Sequence, residues 1–330
     1  MRTASSTGMR LIADIGGTNA RFALLPSGST EPQQEKNLLC MDFPGLEQAA
    51  RHYLAAAGVN AVSEAAVDVA TAVTGDVVKL TNSPWVFSIE QTRRALGLTR
   101  FLVINDFTAL ALSLPLLRPD ELRAVGGGSA LKSAPVALIG AGTGLGVSAL
   151  VPCGGHWVPI QGEGGHTAFS PMDEREDSVL RVLRGRFGHV STERLASGPG
   201  LVATYEALCT LDRMASKALK PEQVAEAGLN ESDPRCAEAL RMFCAVLGTA
   251  AANLVVTLGA RGGVYIGGGI VPRLGEYFLR SPFRARFESK GRFSSYVSQV
   301  PAWIILAENP ALRGLASALE SGLASTQSAS

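Results

Sequence analysis

The stretch LIADIGGTNARFALL, residues Leu11–Leu25, decides how the first part of the chain folds. An apolar run ends at Asp14, the small residues GGT follow, and a second apolar run begins soon after them. Apolar runs on both sides of a glycine turn predict two strands joined by a tight connection. The stretch LIGAGTGLGVSALV, residues Leu138–Val151, repeats this plan with GTG in the turn and without the acidic residue.

The remaining pattern alternates strands and helices, which predicts an α/β fold. Strands are predicted at RLIADIG, RFALL, LLCMDF, AAVDVATAV and FLVIND, and helices at LEQAARHYLAAAG and IEQTRRALG. The plan restarts at VALIGAGTGLGVSALVP and continues through HWVPI, GVYIGGGI and WIILAE, so we expect an internal duplication. The last helix, ALRGLASALESG, follows a strand that completes the second unit, so it is expected to return to the first. The connection AVGGGSALKSAP either joins two domains or forms a surface loop.

Composition limits the classes of partner. The chain has 330 residues, enough for about two domains, with 30 Lys and Arg against 29 Asp and Glu. A net charge of +1 creates no field that would attract nucleic acid or an anionic membrane, so a small-molecule partner is expected. The five cysteines lack CxxC spacing, which favours a reducing cytoplasm. The first apolar stretch ends too early, at Asp14, to form a signal peptide.

One uncharged run, Met242–Ala260, has nearly the length of a membrane span. It is rich in Ala, Gly and Thr, and Asn253 lies in its middle. This composition favours a helix buried between other elements of the protein.

The two glycine turns are candidate phosphate-binding sites. Glycine lets backbone N–H groups approach an anion closely, and threonine adds a hydroxyl donor. Either turn alone is explained as well by a tight hairpin. Two such turns at equivalent places favour a ligand held by both. A third glycine run, Gly267–Gly269, precedes IVPR, where Pro272 lies near the first turn of a predicted helix.

Asp14 and Asp106 are candidate acidic site residues. A carboxylate beside phosphate-binding amides is repulsive unless a cation separates them, so Asp14 indicates Mg²⁺ held partly by phosphates, with water between the metal and the carboxylate. The alternative is an Asp that caps a turn. Asn105 and Asp106 stand where an apolar strand meets a helix, the edge at which open α/β sheets bind ligands. Asp106 could instead be only the N-cap of that helix.

The loop QGEGGHTAF contains Glu163 and His166, whose side chains suit a polyol. His166 could instead be an exposed loop residue; a metal is disfavoured because no second His or Cys stands at ligand spacing. Glu193, in HVSTERLASGPGL, has the character of a solvated or capping residue, and spacing alone does not select it.

Together, these motifs resemble the bacterial glucokinase family, ATP-dependent hexose kinases with a two-domain actin-like ATPase fold. The resemblance covers nearly the whole chain and rests on ADIGGTNARFAL, TNSPWVFSI, INDFTA, GAGTGLGV, GEGGH, ERLASGPGL, IGGGIVPR, GRF and ENPALRG, in that order. It implies a first domain of residues 1–117 plus 310–330 and a second of residues 118–309, with the active site in the cleft between them. It also implies phosphorylation of glucose to glucose 6-phosphate at the entry to glycolysis, in a cytoplasmic homodimer.

The resemblance assigns roles to particular residues. Asp106 is the implied general base, and the sugar is bound by Asn105, Asp106, Glu163, His166 and Glu193. The implied ATP-binding residues are Ala13, Asp14, Ile15, Gly16, Gly17, Thr18, Gly142, Thr143, Gly144 and Gly268. ATP is the co-substrate, and Mg²⁺ is expected near Asp14.

Rival functions within the same fold are a kinase for another hexose or hexosamine and a sugar-responsive regulator without enzymatic activity. A repressor should carry a helix-turn-helix, and Asp14 comes too early in the chain for one. An actin-fold chaperone would need a peptide-binding domain, for which no residues remain. Related sugar kinases often carry a cysteine-rich zinc site after the GxGH motif, and none follows GEGGH here.

Overall fold

The structure is a computed structural model that describes residues 8–80 and 83–321. The described residues form two compact units. The first contains the residues up to Arg118, Gly154–Gln161 and those from Ala307 on, and the second contains Pro119–Cys153 and Gly162–Leu306. The division expected from the sequence had similar outer boundaries but kept Gly154–Gln161 in the second unit. The tail TQSAS, which the sequence predicts to be disordered, and the first two residues of TNSPWVFSI lie outside the described residues.

The strands are short and close to the predicted apolar runs. In chain order they are β1 (Met9–Ile15), β2 (Asn19–Pro26), β3 (Gln33–Leu39), β4 (Glu64–Val69), β5 (Val77–Lys79), β6 (Val86–Ser88), β7 (Arg100–Asn105), β8 (Leu122–Ala124), β9 (Val136–Ala141), β10 (Leu145–Cys153), β11 (His156–Gly162), β12 (Val264–Gly267) and β13 (Ala302–Ile305).

The α-helices lie mostly in the second unit. In chain order they are α1 (Leu46–Ala56), α2 (Ile89–Ala95), α3 (Asp106–Ser113), α4 (Glu174–Phe187), α5 (Gly198–Leu211), α6 (Pro221–Leu229), α7 (Pro234–Leu258), α8 (Ile270–Leu274), α9 (Glu276–Arg280), α10 (Phe283–Glu288), α11 (Ser294–Ser298) and α12 (Pro310–Glu320).

The first unit is built on a sheet with the strand order β3-β2-β1-β4-β7. β1 pairs antiparallel with β2 and parallel with β4, and β4 pairs parallel with β7. The central strands are buried on both faces, which explains their nearly continuous apolar runs. Helix α12 packs against α3, β1 and β4. The carboxyl ends of β1, β4 and β7 therefore lie at one edge of this sheet, together with the first turn of α3.

The prediction of a strand at LLCMDF was wrong. The strand lies earlier, at β3, and Cys40–Asp42 form a 3₁₀ turn. β3 stands at the edge of the sheet, and all of its residues except Leu38 are exposed. An exposed edge strand needs no apolar face, so the polar sequence QQEKNLL shows no strand pattern.

The second unit repeats the plan of the first. Its strands lie in the order β10-β9-β12-β13-β8, in which β9 pairs antiparallel with β10 and parallel with β12. This is the arrangement of β2, β1 and β4 in the first sheet, so the predicted internal duplication is confirmed. The segment AVGGGSALKSAP runs from the end of β8 to β9 within this unit, and most of it is exposed, as in a surface loop.

Helix α7 is the one helix of the described residues that is long and apolar enough to cross a membrane. It packs against α5, α6 and α10, and 72% of its most apolar 18-residue stretch is buried inside the protein. Gly248, in its middle, faces α10, where an added Cβ would lie 2.4 Å from the carbonyl oxygen of Phe283. The prediction of a buried core helix is confirmed.

Candidate active site

The first glycine turn joins β1 to β2. The amide of Gly16 donates to the carbonyl of Asn19 at 2.9 Å, which closes the turn. Ala13 and Ile15 have side chains buried in the core, so only their backbone is available to a ligand, whereas Thr18 is exposed. The turn therefore presents backbone and one hydroxyl group.

The second glycine turn joins β9 to β10 and is built in the same way. The amide of Gly142 donates to the carbonyl of Gly144 at 2.8 Å, and Thr143 is exposed. The carbonyl of Gly142 accepts from the amide of Gly198, at the first residue of α5, at 2.8 Å. This contact fixes the beginning of α5 beside the turn.

Gly268 follows β12 and lies next to the second turn. Its φ is +81°, and an added Cβ would lie 2.3 Å from the carbonyl oxygen of Ala141. Both facts require glycine, because other residues rarely adopt this backbone conformation and their Cβ would collide with β9. The predicted helix after this glycine run is confirmed as α8, with Pro272 in its first turn.

A pocket of about 550 Å³ lies within the second unit, beside the GTG turn. It has the size of a small-molecule site. The beginning of α5, the length of α6 and helix α8 enclose it. Gly142 and Thr143 of the turn contribute to its lining. The apolar side chains that line it are Pro199, Leu201, Pro221, Ala225, Leu229, Ile270 and Leu274.

The polar side chains of the pocket are Glu222, Glu226, Asn230 and Arg273. Each of them is exposed, so none is committed to the core. Leu229 is 37% exposed although it is apolar, as expected for a residue that a ligand covers. Sequence reasoning did not predict that α6 lines the pocket, because no local pattern shows that PEQVAEAGL lies beside the GTG turn.

The sheet of the first unit brings two carboxyl groups and one guanidinium group together. Asp14 is the register partner of Arg21 on β2 and of Asp68 on β4, so the three side chains emerge on one face. Nη1 of Arg21 donates to Oδ2 of Asp14 at 3.2 Å, and each side chain is 30% exposed. Among the described residues, the Asp14 side chain bonds to Arg21 and makes no hydrogen bond to the turn, so the alternative in which it merely caps the turn is not supported.

Asp68 is fully buried near the carboxyl end of β4, a largely apolar strand. Burial raises the pKa of Asp68 well above its ordinary value, and the negative charges of Asp14 and Asp106 raise it further, while Arg21 lowers it. These electrostatic effects show that Asp68 lies close to Asp14, Asp106 and Arg21. Sequence reasoning assigned no role to Asp68, although the single acid in AAVDVATAV was a visible break in the apolar pattern.

Asn105, and not Asp106, is the N-cap of α3. Its Oδ1 accepts from the amides of Phe107 at 2.9 Å and Thr108 at 3.4 Å, and its Nδ2 donates to the carbonyl of Thr71 at 3.3 Å. Asp106 is the first helical residue, and its Oδ1 also accepts from the amide of Phe107, at 2.9 Å. The alternative that Asp106 serves only as the N-cap is therefore wrong.

The GEGGH loop lies against β10. An added Cβ on Gly165 would be 2.0 Å from the carbonyl oxygen of Leu145, so only glycine allows this close approach. The loop places Glu163 and His166 in exposed positions around a 3₁₀ turn, Gly164–His166. Within residues 8–80 and 83–321, no group of three or more His, Cys, Asp or Glu side chains is arranged to hold a metal ion.

Glu193 lies beside both the GEGGH loop and the GTG turn. The amide of Thr192 donates to the carbonyl of Thr167 at 2.8 Å, which joins the two segments. Oε2 of Glu193 accepts from the amide of Leu145 at 2.9 Å and is 2.7 Å from the position of a Cβ added to Gly144. The structure thus brings Glu193 to the second glycine turn, a proximity that the sequence does not show.

Comparison with known proteins agrees with this arrangement. The model of the family described as Glucokinase matches residues 11–322. A glucokinase of Chromobacterium violaceum is 54% identical over 96% of this chain and 90% of its own length. A glucokinase of Aromatoleum aromaticum is 51% identical over 97% of both chains.

Solved structures give the same result. A glucokinase from an Antarctic psychrotroph has a TM-score of 0.87 and 34% identity, over 95% of this chain and 99% of its own. A ROK family glucokinase from Streptomyces griseus, in complex with glucose and AMPPNP, has a TM-score of 0.61 over 94% of this chain and 98% of its own, at 20% identity, and supports the fold alone. The predicted actin-like α/β fold is confirmed, and because the family model and these relatives span nearly the whole sequence, the chain belongs to the glucokinase family.

Proposed function

We propose that this protein transfers the γ-phosphoryl group of ATP to the 6-hydroxyl of D-glucose and releases ADP and glucose 6-phosphate. Family membership supports this activity. The observation that carries the proposal is the pocket of about 550 Å³ that ends at the GTG turn, because it combines an apolar slot with a glycine turn. A nucleotide has these two parts, a flat base and a charged phosphate chain.

The adenosine part of ATP occupies the pocket in this proposal. The base lies against Ala225, Leu229 and Leu274, and the phosphates extend towards Thr143. Backbone amides and hydroxyl groups at glycine turns suit phosphate oxygens. The Streptomyces griseus protein, which has the same fold, was solved with AMPPNP and glucose, and we propose the corresponding ligands, ATP and glucose, for this chain.

Asp106 is the proposed general base. It stands in the first turn of α3, where Oδ1 already accepts from the amide of Phe107, so its carboxylate has a fixed place. As the sugar O6 attacks the γ-phosphorus, the O6 proton passes to Asp106 and the bond between the γ-phosphorus and the bridging oxygen breaks. The electron pair of that bond leaves with ADP.

Sugar hydroxyl groups are proposed to contact Asn105, Glu163, His166 and Glu193. Asn105 uses Oδ1 for capping and one N–H for Thr71, so its second N–H is available to a hydroxyl group. Glu163 and His166 are exposed and can reorient towards a ligand. Glu193 has one oxygen bound to the amide of Leu145, which leaves further acceptor capacity for the sugar.

The residues near the first glycine turn fit a magnesium ion. Asp14 offers a partly exposed carboxylate, and Asp106 adds further negative potential against the guanidinium of Arg21. Mg²⁺ prefers one or two carboxylates together with phosphate oxygens and water. When bound, the ion would neutralise charge on the phosphates, with Asp14 holding it through water. Homodimer formation and a cytoplasmic location are also proposed, and both rest on the family alone.

A coupled assay with purified protein, ATP and Mg²⁺ tests the reaction. Glucose should yield ADP and glucose 6-phosphate, whereas mannose, an N-acetylated hexosamine, fructose and galactose should be poor substrates. Polar groups that the bound sugar covers penalise an epimer that leaves them unpaired. Turnover only with another sugar would favour the rival kinase, and glucose binding without turnover would favour the regulator.

The variant Asp106→Asn tests the general base. It keeps the size of the side chain and removes the proton acceptor, so kcat should fall by roughly 10² to 10⁴. Glucose affinity, measured by calorimetry, should remain within about threefold of that of the unmodified protein because the sugar contacts of Asn105 persist. A kcat close to that of the unmodified protein would contradict the role of general base and leave Asp106 only its hydrogen bond in the first turn of α3.

A further inference from the structure

We propose that Arg21 is a positioning residue that acts through Asp14: it holds the Asp14 carboxylate in the orientation that supports magnesium-dependent ATP binding. This inference rests on the proposed function. The glycine turn and Asp14 were selected by sequence pattern, whereas Arg21 is selected only by the structure.

The register of the strands creates the contact. Arg21 on β2 and Asp14 on β1 are direct cross-strand partners, and Asp68 stands in register on the other side of Asp14. The three side chains form a row across neighbouring strands, because register partners emerge on the same face of a sheet. Asp14 is therefore flanked by a cation on one side and by a second carboxyl group on the other.

The charges in this row explain why Asp14 needs a partner. Asp68 is 0% exposed and cannot turn away to solvent, and the charge of Asp106 also acts on this neighbourhood. The negative charge of Asp106 would favour rotation of an unrestrained Asp14 side chain towards water. Nη1 of Arg21 opposes this rotation with a charge-assisted hydrogen bond to Oδ2 of Asp14, at 3.2 Å.

The geometry of this ion pair suits positioning better than stability. Both side chains are 30% exposed, and a pair with this exposure contributes little to folding. The bond engages Oδ2 of Asp14, and the side chain is 30% exposed, so a water molecule of the metal can reach the carboxylate. Partners that orient a ligand in this way typically contribute 10-fold to 100-fold to metal affinity. We expect the lower end of that range because solvent screens the pair.

The test compares Arg21→Met and Arg21→Lys with a matched control, Arg51→Met. Arg51 forms an exposed ion pair with Glu47 on α1, so its loss also removes one arginine–carboxylate pair from the first unit. For Arg21→Met, the Mg²⁺ concentration that half-saturates ATP binding, measured by calorimetry without glucose, should rise about tenfold. In Arg21→Lys this Mg²⁺ concentration should rise less than in Arg21→Met, and in Arg51→Met it should equal that of the unmodified protein. Glucose binding and the thermal midpoint should stay close to those of the unmodified protein.

A double-mutant cycle with Asp14→Asn separates positioning from direct contact with phosphate. If Arg21 acts through Asp14, adding Arg21→Met to Asp14→Asn should change the Mg²⁺ requirement and kcat less than twofold. Additive losses would mean that Arg21 contacts the phosphates itself, and a Mg²⁺ requirement unchanged in Arg21→Met would mean that it has no part in the site. Either result overturns the proposal. Failure of the unmodified protein to phosphorylate glucose would overturn the proposed function. An active unmodified protein together with an unaffected Arg21→Met variant would overturn only the role of Arg21.

Discussion

The variant Asp68→Asn should make the protein more stable at neutral pH, and the gain should depend on pH. Asp68 is 0% exposed, and neither of its carboxyl oxygens has a well-formed hydrogen bond, although contact with the Asp14 carboxyl contributes to the shift of its pKa. Burial, followed by the charges of Asp14 and Asp106, raises the pKa of Asp68 well above its ordinary value. The folded protein therefore retains a proton that the unfolded chain releases.

The sign and the size of the effect follow from this difference. The retained proton adds its full contribution to the free energy of unfolding below the unfolded-state pKa of about 3.9. This contribution is lost as the pH rises towards the folded-state pKa. The loss is about 1.4 kcal/mol for each pH unit in that window. Asparagine has nearly the same shape and no proton to lose. The stability difference between Asp68→Asn and the unmodified protein should therefore grow by about 3 kcal/mol over two pH units of the window.

Urea unfolding at pH values spaced about one unit apart, from about 4.5 to about 7.5, measures this difference. Asp212→Asn is a control of opposite sign, because Arg175 lowers the pKa of Asp212. A lowered pKa gives stability that is present above the unfolded-state pKa and lost in acid, so this variant should be the less stable one at neutral pH. A stability difference for Asp68→Asn that stays constant across the pH range would show that Asp68 is ionised in the folded protein and would refute the reasoning.

Two further predictions concern packing and the second glycine turn. Gly314→Ala should lower the free energy of unfolding in urea by about 1–3 kcal/mol or more, because the new Cβ on α12 would lie 1.7 Å from the carbonyl oxygen of Ala109 on α3. An unchanged free energy of unfolding would mean that α12 and α3 do not pack so closely. Glu193→Ala should cost about 1–3 kcal/mol because it leaves the amide of Leu145 without its acceptor at 2.9 Å, whereas Glu193→Gln should retain that bond; equal stability of the two variants would contradict this. If both variants lose glucose affinity, measured by calorimetry, the charge of Glu193 serves the sugar.

Local pattern was sufficient for much of the fold. The strands on both sides of each glycine turn were predictable because they are buried and apolar, and their repetition revealed the duplication that both sheets show. β3 was not predictable at its true place, because an exposed edge strand carries no apolar pattern. Helix boundaries near Gly58 and Gly97 followed from glycine's tolerance of positive φ, which both residues adopt.

The candidate site was less predictable, because its parts come from distant segments. The carboxyl edge of the first sheet was visible as Asp14 and Asp106, two residues at the ends of apolar runs. Their shared neighbours were not visible, since only the register of β1 with β2 and β4 shows that Arg21 and Asp68 stand beside Asp14. The helix α6 wall of the pocket likewise depends on packing, which places Pro221 against Gly198.

The missing acid of the second glycine turn shows most clearly what sequence spacing leaves out. The first turn has Asp14 on its own strand, and the corresponding place in GAGTGLG has no acid. The structure nevertheless puts a carboxylate there, because Oε2 of Glu193 accepts from the amide of Leu145, the residue that follows the turn. The two carboxylates differ in their partners. Arg21 holds Asp14 through a side chain, whereas the backbone of β10 holds Glu193, so Glu193 occupies one amide that a phosphate would otherwise find at this turn. The second turn therefore offers Thr143 and its remaining backbone amides to phosphate, while Glu193 retains acceptor capacity for a hydroxyl group. This is why we propose that ATP phosphate contacts the turn itself and that glucose contacts Glu193.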